Sequence, residues 1–212
     1  WKNFQALLLA QNIQLSPLQI SSTQKIPADA EGVAIIGPSF DFDEREIATL
    51  TEYWDRPSSS LFITLNPSAK LKYFKKFLRE YGISPQENRV MKVNNSGQSL
   101  TSARAFFTQG PEVNKGLAHQ STQLDGPSSG LEVMSNNDRL AIRNISPFAL
   151  LQAADGWWGE SKDTELNPSF DPREDQGVIK GAVNPTPVNL AAAVVRGRQN
   201  SDLTAPLTSR MV

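Results

Sequence analysis

The chain has 212 residues, 39% of them hydrophobic and 20% charged, with a formal net charge of −1. That composition belongs to a folded globular chain with room for a sizeable core, and it excludes a disordered tail and a globally basic nucleic-acid binder. There are no cysteines, which excludes disulfides, thiolate catalysis and cysteine-based zinc sites.

No apolar run approaches the roughly 20 residues needed to span a bilayer, and no signal peptide is visible. The chain opens on Trp1 rather than Met. Residues 1–12 read as a helix already under way, and Ser209-Arg210-Met211-Val212 as the first residues of a strand. The expectation is one α/β domain over residues 1–212, a piece of a longer protein. Within it, residues 1–93 form a regular half, 94–130 an irregular insertion, and 131–212 the remaining strands with an acidic loop.

In chain order, Trp1 to Ile13 carries Phe4, Leu7, Leu8 and Leu9 and predicts a helix. Ile13 to Ile20 alternates apolar and polar residues and suggests a short strand interrupted at Pro17. Gly32-Val33-Ala34-Ile35-Ile36-Gly37-Pro38 is a continuous apolar run closed by Gly-Pro, the form of a parallel strand buried on both faces. A helix follows from about Asp43 to Trp54, with Ile47, Leu50 and Trp54 on one face. Asp41, Asp43, Glu44 and Glu46 crowd its start, where the helix dipole favours negative charge.

Ser60 to Leu65 reads as a second buried strand, closed by Asn66-Pro67. Ser68 is placed to cap the next helix, whose apolar stripe is Leu71, Phe74, Leu78 and Tyr81. Lys72, Lys75, Lys76 and Arg79 form its opposite face, and Gly82 ends it. Arg89 to Val93 is the next strand. Strands alternating with helices predict a three-layer α/β/α fold with a mostly parallel central sheet.

Residues 94–130 break that rhythm, with one short helix expected near Ser102–Phe107. Arg139–Arg143 and Phe148–Ala153 read as strands. Residues 155–176 read as an acidic loop around Trp157 and Trp158. Val188–Val195 reads as a strand in a C-terminal β meander with the one at Arg210.

Candidate chemistry is sparse. His119 is the only histidine, and no G-x-S-x-G elbow accompanies it. The acidic clusters lack the spacing of a calcium loop, so no metal or cofactor is assigned. Gly37-Pro38-Ser39 and Asn66-Pro67 lie at carboxyl ends of predicted parallel strands, the edge where open α/β sheets bind ligands. Neither is a phosphate loop. Trp157-Trp158 either stacks on a sugar or a partner, or plugs a core edge. Charge is divided along the chain. Residues 28–56 hold eight acids and two bases, and residues 66–95 hold seven bases and two acids.

The series Ile26-Pro27-Ala28-Asp29-Ala30, Val33 through Pro38, Asp43 through Tyr53, Leu61-Phe62-Ile63-Thr64-Leu65-Asn66-Pro67 and Leu78-Arg79-Glu80-Tyr81-Gly82-Ile83 resembles the GldG-type ABC-transporter auxiliary family. Gly156-Trp157-Trp158-Gly159-Glu160, Phe170-Asp171 and Ser209 through Val212 fall where that family has matching segments. Two departures stand out: Arg56-Pro57-Ser58-Ser59 replaces a Gly-Gly, and Asn66-Pro67 replaces an Asp-Pro. The resemblance implies a flavodoxin-like or class I glutamine-amidotransferase-like fold, without the cysteine those amidotransferases use.

It also implies a non-catalytic extracytoplasmic (periplasmic) domain of an ABC-type transport system or gliding machinery. Its expected partners are ABC permease and ATPase subunits or other envelope proteins. Attachment to the membrane would run through flanking helices outside this chain, and no nucleic acid is involved. Two alternatives remain open: a glycan-binding module using Trp157 and Trp158, and a divergent hydrolase using Ser39 or Ser68.

Overall fold

The computed structural model describes residues 2–23, 25–110, 112–162, 168–179, 185–197 and 209–212; Trp1 lies outside them. The elements run α1 (Lys2–Ala10), a 3-10 turn (Ile20–Ser22), β1 (Val33–Ile36), α2 (Glu44–Trp54), β2 (Ser60–Thr64), α3 (Lys72–Glu80), β3 (Ile83–Pro85), β4 (Arg89–Val93), β5 (Ser99–Leu100) and β6 (Ala103–Phe107). A second 3-10 turn (Glu112–Asn114) follows, then β7 (Ser121–Leu124), β8 (Leu131–Val133), α4 (Asp138–Ile142), β9 (Ile145–Ala153), β10 (Trp158–Glu160), β11 (Gln176–Gly177), β12 (Asn189–Arg196) and β13 (Ser209–Met211).

The expected three-layer, mostly parallel fold is overturned. Among the described residues the main sheet has nine strands, in the order β1-β2-β13-β12-β9-β6-β7, with β3 and β8 attached through β12. Among them β1 with β2 and β2 with β13 pair parallel, and the other pairings in this sheet are antiparallel. A second, antiparallel sheet has the order β11-β10-β4-β5. A flavodoxin-like or amidotransferase-like layout needs helices on both faces of a parallel sheet. Here α2 and α3 pack together on one face. Leu50, Tyr53 and Trp54 of α2 and Phe74, Phe77 and Leu78 of α3 share one core with Ile35, Leu61, Val194 and Met211.

Period-two geometry explains what this does to β1. Ile35 points into that core and is 8% exposed, whereas its neighbour Ile36 is 42% exposed. The run was expected to be buried on both faces. It is instead an edge strand with one wet face.

The two helices form for reasons readable in the chain. Asp43 caps α2: its Oδ1 accepts from the N–H groups of Arg45 and Glu46, each at 2.8 Å, and the Glu46 carboxylate accepts from the Asp43 N–H at 2.9 Å. This reciprocal box satisfies orphan donors at the helix start. Gly82 ends α3 at φ +84, and a Cβ there would lie 2.6 Å from Leu140 Cδ1 and 2.7 Å from Pro147 Cγ. Only glycine lets α3 stop this close to α4 and β9. Burial pushes the Tyr81 phenol above its ordinary pKa, and the Asp55 carboxylate adds to the effect.

Other expectations change. Residues 13–20 form no strand, and Ile13 and Leu18 are exposed. The expected helix near 102–107 is β6, where Ala103 and Ala105 are fully buried and Arg104 between them is exposed. The expected strand at 139–143 is α4, whose first turn is capped by Asn137 Oδ1 accepting from the Arg139 N–H at 3.0 Å. β4 pairs antiparallel with β5 and β10 rather than extending a parallel sheet. The expected loop at 155–176 contains β10 and meets β11 at its end. The C-terminal pair β12 and β13 is antiparallel as a meander would be, but β13 slots between β12 and β2.

Arg196 locks that insertion. Its guanidinium donates to the Trp54 and Arg56 carbonyls at the end of α2 and to Ser209 Oγ of β13, pairs with Asp55 at 3.3 Å, and lies over the Trp54 ring at 5.4 Å. Replacing it with Met removes the charged donor from this cluster, while the Trp54 carbonyl keeps the Ser59 hydroxyl and the Arg56 carbonyl keeps the Ser209 hydroxyl. Arg196→Met is expected to cost about 1.5–3 kcal/mol in urea unfolding, the scale of losing hydrogen bonds made by a charged group. A loss below ~0.5 kcal/mol, the range of ordinary surface substitutions, would show that the clamp contributes nothing.

Candidate functional site

The carboxyl ends of β1 and β2 carry two loops, residues 37–43 and 65–71. Gly37 closes β1: its N–H donates to the Thr64 carbonyl and to Thr64 Oγ1, each at 2.9 Å. Its φ of +51 turns the chain out of the sheet, with Pro38 fixing the next step. Asp41 then turns the loop back. Its Oδ2 accepts from the Tyr73 N–H at 2.8 Å, and its Oδ1 from the Phe74 N–H at 3.2 Å. This carboxylate therefore caps α3 from 32 residues away, and Ser68 does not cap it. The helix has no acid in its own first turn, so Asp41 supplies the charge its dipole favours. Phe42 packs against Phe74 with ring centroids 4.8 Å apart.

The loop is thus anchored at Gly37 and at Asp41–Phe42, and between the anchors Ser39 and Phe40 project. Phe40 is 87% exposed. Asn66 makes a local turn, its Oδ1 accepting from the Ser68 N–H at 3.0 Å; Pro67 beside it is exposed. The structure therefore brings Gly37, Pro38, Ser39, Asn66 and Pro67 to one end of the sheet. Phe40 is the residue the sequence reading passed over. Its signal was local: a lone aromatic between Ser39 and Asp41 in a strand-to-helix turn.

Trp157 and Trp158 lie elsewhere. Trp157 joins a second core with Val90, Ala103, Ala153 and Val188. Trp158 Nε1 donates to the buried Glu160 carboxylate at 3.2 Å, and its ring meets Phe170 edge-on. Both are about 5–6% exposed, and neither offers a ring face on which a sugar could stack.

His119 lies between β6 and β7 at φ +64, its ring nitrogen 3.2 Å from Gln109 Oε1. It lines an open depression of about 480 Å3 with Phe106, Gln109, Ser135, Phe148 and Gln152. β6 is five strands from β1 in the sheet order. The His119 ring is engaged by Gln109, and neither Ser39 nor Ser68 lines its depression. Among the described residues no group of three or more His, Asp or Glu side chains could hold a metal, and no helix is long and apolar enough to cross a membrane.

The class that these features define is a mostly β domain with a mixed main sheet, α2 and α3 together on one face of it, and an anchored, exposed loop at the β1–β2 end. No protein-family model matches the chain, and no curated protein does. Among solved structures, the mmIFT52 N-terminal domain is similar, with a TM-score of 0.55 and 14% identity over 100% of this chain and 77% of that one. That likeness is one of fold.

Removing the Asp41 carboxylate should loosen α3 and the loop together. Asp41→Ala is expected to lower stability by about 1–2 kcal/mol, the usual cost of a lost N-cap, with faster amide exchange at Tyr73 and Phe74. Unchanged exchange at both amides would contradict the cross-chain cap.

Proposed function

We propose that this chain is a non-catalytic binding domain of an extracytoplasmic auxiliary protein serving an ABC-type transport system or gliding machinery. Its partner, a permease or ATPase-associated subunit or another envelope protein, is engaged at the β1–β2 end of the main sheet. The observation that carries the binding role is Phe40, 87% exposed at the tip of a loop held at both ends. A large aromatic kept in water by a rigid support is the form of an interface anchor, since little ordering entropy is lost when it docks. The transport setting is supported by the resemblance of the motif series to the GldG-type family. The non-catalytic reading is supported by the place of His119, in a depression beside β6 that neither Ser39 nor Ser68 lines.

A photoreactive phenylalanine analogue at position 40, in cells carrying the intact system, tests the reading. It is expected to crosslink to a permease or another envelope subunit, and Phe40→Ser is expected to weaken that association by at least about tenfold. Ser39→Cys is expected to label with a membrane-impermeant maleimide in spheroplasts, above the labelling of the parent protein, since these 212 residues contribute no thiol. Labelling only after lysis would contradict the extracytoplasmic placement. A hydrolase activity abolished by His119→Ala would contradict the non-catalytic reading.

A further inference from the structure

The outer edge of β1 carries an unused set of backbone groups. Gly37 bonds to Thr64, and β1 and β2 pair in parallel with Ile36 opposite Thr64. Alternation along a parallel ladder then directs the N–H and C=O groups of Val33, Ile35 and Gly37 toward β2. Those of Ala34 and Ile36 point the other way, and no strand pairs there among the described residues. The side chains of the same two residues rise on the wet face, where Ala34 is exposed and Ile36 is 42% exposed. An incoming extended segment would find backbone partners and an apolar strip together.

The ends of this edge are acidic. Asp29 and Glu31 are exposed just before Val33, and Asp43 and Glu44 are exposed at the start of α2 just beyond the loop. Of the two bases among residues 28–56, Arg56 is committed to the Ile26 and Pro27 carbonyls, and Arg45 is exposed in the first turn of α2 among three acids. Charge at strand edges normally blocks unwanted pairing, and here its sign decides what is blocked. A second copy pairing antiparallel through β1 would bring two acid-rich segments of the same sequence together, which disfavours it. An extended segment with lysine or arginine at its ends meets opposite charge at both.

We propose that the β1 edge takes up an extended basic segment of a partner protein as an added strand, with alternate apolar side chains of that segment lying over Ala34 and Ile36. This rests on the reading of the domain as a binding module and names the chemistry of what is bound. Main-chain bonds supply the pairing and the acidic ends supply the selectivity.

The test uses a fluorescein-labelled peptide of alternating valine and threonine with paired lysines at both ends, followed by anisotropy on the purified 212-residue chain. Two control peptides accompany it: one flanked by glutamates, and one N-methylated at alternate amides so that one edge cannot pair. The lysine-flanked peptide is expected to bind at least about tenfold more tightly than either control, and more weakly as salt rises. Ala34→Pro removes an outward N–H while leaving the β1–β2 ladder intact, and is expected to weaken binding by a similar factor. The Asp29→Lys and Glu31→Lys double variant is expected to move the preference toward the glutamate-flanked peptide.

Equal binding of all three peptides, or no binding, overturns the proposal. Should Ala34→Pro fail to fold by near-UV circular dichroism, the N-methylated peptide interrogates the same bonds from the other side. Absent peptide binding with intact crosslinking at position 40 removes the edge proposal alone. Intact peptide binding without that crosslinking removes the transport setting alone.

Discussion

The contact on which the rest of the structure depends is the guanidinium of Arg196 against the end of α2. It gathers the Trp54 and Arg56 carbonyls, the Asp55 carboxylate and the Ser209 hydroxyl around one charge. Through it, β12 holds both the helix that connects the parallel strands and the short strand lying beside them. β13 has only three residues, too few to hold its place by pairing alone. Yet Ser209 and Met211 are buried, and β13 is parallel to β2 on one side and antiparallel to β12 on the other. It is the seam between a parallel corner built from residues 33–64 and an antiparallel region built from residues 103–196.

That seam decides which surfaces are available for binding. Because α2 and α3 both cover the face that carries Ile35, Leu61 and Met211, the opposite face of the parallel corner keeps Ala34, Ile36 and Phe62 exposed. A doubly wound sheet would have helices there and a ligand crevice where they diverge. In this chain the helices stay together, and the strand-end loops lie beside an exposed apolar strip. Such a surface suits a protein partner better than a small molecule, which would need a concave and largely apolar enclosure.

The parts legible in the sequence are those whose causes are local. α2 announced itself through Asp43, Glu46 and the spacing of its apolar face, and Gly82 marked the end of α3. β1 and β2 were legible as strands, but not as an edge pair, because a continuous apolar run does not record how many faces are covered. The Asp41 cap was hidden because donor and acceptor are 32 residues apart. Residues 102–107 suggest a helix from sequence, since alanine and arginine favour one, but the alternation of buried Ala103 and Ala105 with exposed Arg104 is that of a strand. Trp157 and Trp158 point to opposite faces of a strand segment, and both are buried because one side meets the second core and the other meets Phe170. Gly159 belongs to the same packing, since a Cβ there would reach 2.4 Å from the Asn88 amide nitrogen.

The central claim is that β1 is an open edge with one wet face rather than an interior strand. Residue-resolved amide hydrogen exchange on the purified chain tests it most directly. The account predicts slow exchange at Ile35 and Gly37, whose N–H groups bond to β2, and fast exchange at Ala34 and Ile36, whose N–H groups face outward. Equal protection at all four amides would contradict it, because it would mean that the outer edge of β1 is already paired.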